Sequence, residues 1–196
     1  MIQVLILAFE IFLAIMIIYA IYKVIWYTIK MLSFKKKINK INSDTVNVKY
    51  QRGFLNMIFG KKGYIDFVVT TPNEKYAVSV ISFISTHSRW NIEKTRSTYY
   101  VEARRRNEIF YRVDNNSHSP EHAKEYRRES RFARCELYLQ PKDERFDKQI
   151  LLIYPKPKLL TYTDVRFDFL LTGSKIEDHE IMHADDFFEL FKAHKS

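Results

Sequence analysis

Residues 2–34 are apolar on every helical face, and this most constrains what the chain can fold into. Leu5, Ile6, Leu7, Phe9, Ile11, Phe12 and Leu13 leave no polar stripe. A helix that is apolar all round needs lipid or a large core about it. A chain of 196 residues offers no large core to an N-terminal extension. A hydrocarbon layer of about 30 Å takes about 20 apolar residues in helix, and this run exceeds that. Residues 1–34 are therefore expected to form one transmembrane anchor. Tyr19, Tyr22, Trp26 and Tyr27 suit the headgroup level, and Lys23 and Lys30 reach past them to water. Removal as a signal peptide is not expected. Such a peptide has a basic start, a short apolar stretch and a small-residue cleavage site. Met1-Ile2-Gln3 carries no basic side chain, and no A-x-A pattern follows.

Charge sets the expected orientation. Lys35, Lys36, Lys37 and Lys40 form a basic juxtamembrane linker over residues 35–43. The positive-inside rule puts the N-terminus outside and residues 35–196 in the cytoplasm, beneath the inner membrane. The lone cysteine, Cys135, agrees with a reducing compartment, since it can form no internal bridge. The lysines also favour anionic headgroups, which makes membrane lipid an expected partner. Glu10 has two readings. Either the span uses residues nearer 11–30 and Glu10 lies at the outer interface, or Glu10 meets a partner helix and the chain is a homo-oligomer through its anchor.

Residues 44–196 have the length of one domain. The patterning predicts mixed α/β structure. Tyr64–Thr70 and Tyr76–Phe83 are β-rich runs about a turn at Thr71–Lys75, which predicts a hairpin. Tyr99–Ala103 is a weaker strand. Pro120–Glu136 is expected to be helical, with Ser119 as its cap and Pro120 at the first helical position. Gln149–Tyr154 is a continuous apolar run, the mark of a buried central strand. Asp168–Thr172 and Glu180–His183 are short strands. Asp185-Asp186 open a last helix, Phe187–His194, where acidic residues suit the macrodipole.

The hairpin resembles nuclease-related (NERD-like) domains and restriction-endonuclease-like folds more widely. In these the core hairpin reads roughly I-D-apolar run-turn-G-apolar-E-x-K. Ile65-Asp66-Phe67-Val68-Val69-Thr70-Thr71-Pro72 fits the first half, and Tyr76-Ala77-Val78-Ser79-Val80-Ile81 fits the second in pattern and length. Leu151–Pro155, Gly173 and Ile181 to the terminal helix fit the family's tail, so the resemblance covers about residues 45–196. It implies a mixed-sheet α+β core. It also implies a divalent-metal site with carboxylates on both strands and a lysine beside the attacking water. Asp66 occupies the first carboxylate position. Ser79 stands where the second acid belongs and Ile81 where the lysine belongs. A serine and an isoleucine hold Mg²⁺ poorly, so no catalytic set and no metal or other cofactor are expected. The expected role is binding or scaffolding by a catalytically degenerate nuclease-like domain. The alternative is an active Mg²⁺-dependent nuclease with relocated groups, drawn from Glu74, Lys75, Glu93 and Lys94. The plainer reading of Asp66 is an exposed strand-end carboxylate paired with Lys61 or Lys62.

His179-Glu180-Ile181-Met182-His183 spells the H-E-x-x-H of zinc proteases. That pattern needs a long helix and a third ligand downstream. Here the residues look strand-like, and two surface histidines are expected. The middle of the chain is rich in arginine. Arg104, Arg105, Arg106, Arg127, Arg128 and Arg131 stand near Tyr99, Tyr100, Tyr111 and Tyr126. Arginine grips phosphate in a fork, and tyrosine offers stacking faces. The formal net charge of +9 suits a polyanion. Glu102, Glu108, Glu121, Glu125 and Glu129 interleave, however. The patch is thus open to nucleic acid, anionic lipid, a membrane-protein partner or plain surface ion pairing. Cys135 has no nucleophile constellation in the sequence. No phosphate-cradling glycine motif and no G-x-S-x-G occurs.

Overall fold

The computed structural model describes residues 2–83, 89–104, 131–164 and 167–192. The chain divides into two compact units, Met1–Lys40 and Ile41–Ser196. The first unit is one helix, α1 (Ile2–Asn39). It is long and apolar enough to cross a membrane, with a mean hydropathy of 2.1 over an 18-residue window. Lys35, Lys36 and Lys37 continue the helix, and the Lys40 N–H closes it on the carbonyl of Lys36 at 3.1 Å. Cations in a last turn complement the negative end of the helix dipole.

The second unit is mixed α+β and holds two mixed sheets. The first contains β1 (Asn47–Tyr50), β2 (Phe67–Thr70), β3 (Lys75–Ile81), β7 (Lys148–Ile153), β11 (His179–His183) and β10 (Lys175–Ile176), in that spatial order. β1, β2 and β3 form an antiparallel meander. β3 pairs parallel to β7, and β7 parallel to β11. The second sheet has the order β6 (Arg131–Leu137), β5 (Thr98–Arg104), β4 (Arg89–Thr95), β8 (Leu159–Thr163), β9 (Phe167–Phe169). Among the described residues the unit also has two short helices, α2 (Phe54–Phe59) and α3 (Ala184–Lys192).

Period-two alternation explains the layering. Ile81, Leu151, Ile153 and Ile181 of the first sheet meet Trp90, Ile92, Val101, Leu137 and Leu160 of the second in one apolar cluster. The other face of the first sheet is covered by α3. Phe187 and Phe191, one turn apart, set their rings edge-on to Phe67 and Tyr76 at 6.0 and 5.3 Å between centroids. β7 is buried at five successive positions because both of its faces are covered.

The hairpin, the central strand, Tyr99–Ala103, the late strands and the last helix lie close to where the sequence puts them. The helix expected over Pro120–Glu136 does not. Residues 120–130 lie outside the described residues, and Arg131–Glu136 belong to β6. Cys135 and Leu137 pack on the core while Arg134 and Glu136 face away, which is strand periodicity. Helix-favouring Arg and Glu are overridden by pairing with β5.

Candidate functional site

Asp66 sits just before β2, and the hairpin register sets it opposite Ser79. Its backbone is tied on both sides. The Asp66 N–H donates to Val78 O at 2.9 Å, and its carbonyl accepts the N–H groups of Gln51 (2.9 Å) and Arg52 (3.3 Å). Its carboxylate turns inward and is 1 % exposed. The Val80 N–H donates to Oδ2 at 2.7 Å, and Arg52 Nη1 reaches Oδ1 at 3.4 Å. Asp66 is therefore not the exposed strand-end carboxylate of the plainer reading, and neither Lys61 nor Lys62 is its ion-pair partner. Arg52 takes that place by folding back from the start of α2, where it also donates to Lys61 O at 3.0 Å. Burial pushes the Asp66 carboxyl up to about 6, against the downward pull of the Val80 amide, Arg52 and Lys62.

Lys62 is the second buried ion here, 7 % exposed. Its ammonium donates to the carbonyls of Ile58 (2.9 Å) and Met57 (3.3 Å) and so caps the end of α2. Burial lowers its pKa, while Cys135 and Asp66 pull the other way. The Lys62 carbonyl accepts the Tyr138 N–H at 3.0 Å, and Lys62 forms a β-bridge to Leu137 of β6. The loop thus ties α2 and the hairpin to the second sheet. Gly63, at φ +88°, makes the turn, and the Ser79 hydroxyl donates to its carbonyl at 3.0 Å. Ile81 lies in the core between the sheets. The positions expected to carry the second acid and the lysine are thus a backbone tie and a packing residue.

The relocation candidates are engaged elsewhere. Glu74 pairs with Lys148 at 3.2 Å at the turn end of the hairpin and accepts the Tyr76 hydroxyl. The Lys75 ammonium lies over the Phe146 ring, 5.2 Å from its centroid. Lys94 pairs with Glu177 at 2.9 Å, and Glu93 faces Arg134 at 3.9 Å. Among the described residues, no group of three or more His, Cys, Asp or Glu side chains converges to hold a metal ion.

His179 and His183 stand on β11, as expected, but they are buried, 2 % and 8 % exposed, and not on the surface. Their residues share a face with Ile181, which looks into the core between the sheets. Burial holds both imidazoles below their usual pKa.

The second sheet carries a polar arrangement that the sequence reading missed. Asn91, Glu102 and Arg134 are register partners across β4, β5 and β6. Glu102 is fully buried and ion-paired to Arg134 at 3.2 Å. The Arg134 guanidinium lies over the Tyr100 ring, 4.1 Å from its centroid. Asn91 accepts the hydroxyls of Thr161 (2.9 Å) and Thr163 (3.1 Å). The signal was the alternation in R-W-N-I-E, which puts polar residues at every second place.

Of the arginine patch, Arg104 ends β5 and Arg131 begins β6. They are register partners, and Arg89 of β4 faces Arg104 on its other side. Arg105, Arg106, Arg127 and Arg128 lie outside the described residues. Cys135 is half-buried on β6 against the core, and burial raises its thiol pKa.

Comparison with protein-family models, curated proteins and solved structures finds no match for this chain.

Proposed function

We propose that this chain is a membrane-anchored binding protein that does not cut its partner. In this reading α1 spans the inner membrane once, and the α+β domain works on the cytoplasmic side as a restriction-endonuclease-like core without metal chemistry. The observation that carries it is the state of Asp66. Its carboxylate is buried and committed to the Val80 amide and to Arg52. A hard cation prefers six or more oxygen ligands, several of them carboxylate or water. An acid already spent on an amide and a guanidinium is a poor start for such a shell.

The partner class we propose is nucleic acid, supported by the row Arg89, Arg104, Arg131 across three neighbouring strands. Guanidinium groups pair with phosphate in a two-pronged fork.

The test uses the full chain in nanodiscs of neutral lipid. Incubation with plasmid and Mg²⁺ or Mn²⁺ is expected to leave the DNA intact. Binding of labelled DNA is expected to weaken steeply with salt, and Arg89→Gln with Arg104→Gln to flatten that slope by about one phosphate contact each. Cleavage that Asp66→Ala abolishes would sink the proposal. It would favour an active nuclease instead, a reading that draws on the Lys62 ammonium buried near Asp66.

A further inference from the structure

We propose that the outer face of α2, with the aromatic residues beside it, rests on an anionic bilayer surface. Met57 and Ile58 turn the inner face of α2 into the domain. Leu55 and Phe59, one turn apart, are 67 % and 58 % exposed on the outside. Two large apolar side chains held outward on a short helix need a reason, and their neighbours supply one. The Arg52 guanidinium reaches Asn56 O and Lys61 O and lies over the Tyr64 ring at 5.4 Å. Tyr64 stacks on Tyr138 with centroids 4.8 Å apart, and Tyr138 is itself exposed. Apolar tips and tyrosine rings therefore lie beside the exposed Lys61, with Arg52 held to Asp66 behind them.

That combination matches a membrane interface. Apolar side chains enter the acyl boundary, tyrosines stay at the headgroups, and each cation near the surface gains from anionic lipid. Among the described residues a second exposed apolar pair, Phe169 and Leu171, has Asp168 and Asp186 for neighbours in chain and fold. Its charge has the wrong sign for such a surface. Charge complementarity thus selects α2 and selects lipid as the occupant.

The inference rests on the proposed anchoring by α1, so the experiment reads both. The full chain, with Cys135→Ser, receives one fluorophore through Ile17→Cys, Phe59→Cys or Leu171→Cys. It is reconstituted in phosphatidylcholine vesicles with or without phosphatidylserine, using brominated chains as the quencher. Quenching is expected at 17 in all vesicles, at 59 when phosphatidylserine is present, and not at 171. Leu55→Glu is expected to remove the quenching at 59 alone. Quenching at 17 without any at 59 overturns the docking and leaves the anchor standing. No quenching at 17 overturns the anchor and the docking with it. Equal quenching at 59 and 171 also overturns the docking. So does protection of position 59 from aqueous iodide without quenching by brominated lipid, which would mark a second copy or another protein as the occupant.

Discussion

The main-chain N–H of Val80 donates to the Asp66 carboxylate at 2.7 Å, so an acid just before β2 is held by the interior of β3. Burial raises that acid to about 6, above the ordinary value of about 4. Between those values the folded protein keeps a proton that the unfolded chain has lost. The stability this supplies is full below about pH 4 and is lost as pH rises through about 6. Asparagine imitates the protonated form. Asp66→Asn is therefore expected to gain on the parent by about 2 kcal/mol between pH 4 and 7.5. Pulse proteolysis of the full chain in nanodiscs at the two pH values reads the difference. A constant gap would mean that Arg52 and Val80 keep the carboxylate ionised in the fold.

His179 and His183 work in the opposite sense. Burial holds both below their usual pKa, so the unfolded chain takes up protons first as pH falls. Their contribution is present above about 6.5 and is lost as pH drops through the folded values. Replacing both with glutamine is expected to flatten the acid limb of the stability profile below pH 6.5. A limb as steep as the parent's would assign acid sensitivity to other groups.

Lys62 separates capping from charge. Lys62→Ala leaves the Met57 and Ile58 carbonyls without their donor, and each buried unpaired group costs about 1–3 kcal/mol. The expected loss is of that order, with faster amide exchange across α2. Lys62→Met keeps the volume and removes the burial cost of the ion, so it is expected to lose less. Equal losses would show that the side chain's bulk contributes nothing beyond the ammonium's hydrogen bonds.

Gly63 is expected to tolerate no side chain. A Cβ there would lie 2.0 Å from the Tyr138 carbonyl oxygen, at a φ of +88°. The left-handed backbone alone costs an L-residue about 1–2 kcal/mol, and the clash adds to it. Gly63→Ala should destabilise the domain by more than about 2 kcal/mol. Gly173→Ala, at a similar φ but with nothing within 4 Å, should cost less. Melting of the two variants side by side decides it.

What was legible in the sequence followed from local pattern. Gln149–Tyr154 declared a doubly covered strand by unbroken hydrophobicity, and Asp185-Asp186 declared a helix start. β6 reads as helix because Arg and Glu favour helix and its strand partner β5 lies far back in the chain. Leu159–Thr163 went unseen as β8, since its pattern is too short to tell a strand from a loop. Asp66 was picked out, but its burial depends on Arg52, fourteen positions away, and on the amide of Val80. The two histidines read as surface residues by their polarity alone, yet both are buried. Packing of the second sheet over β11 is a tertiary fact that no window on the sequence contains.

β3 finds its parallel partner β7 only after β4, β5 and β6 of the second sheet have intervened in the chain. A ribosome making this protein releases the apolar helix before the α+β domain, and β7 only after β4, β5 and β6. The early meander must therefore wait, with the edge of β3 unpaired, until β7 has been synthesised. Long-range parallel pairing is slow and exposes such edges to wrong partners. If the first helix is already in a bilayer at that moment, the chain completes its fold on a tether, kept apart from other nascent copies.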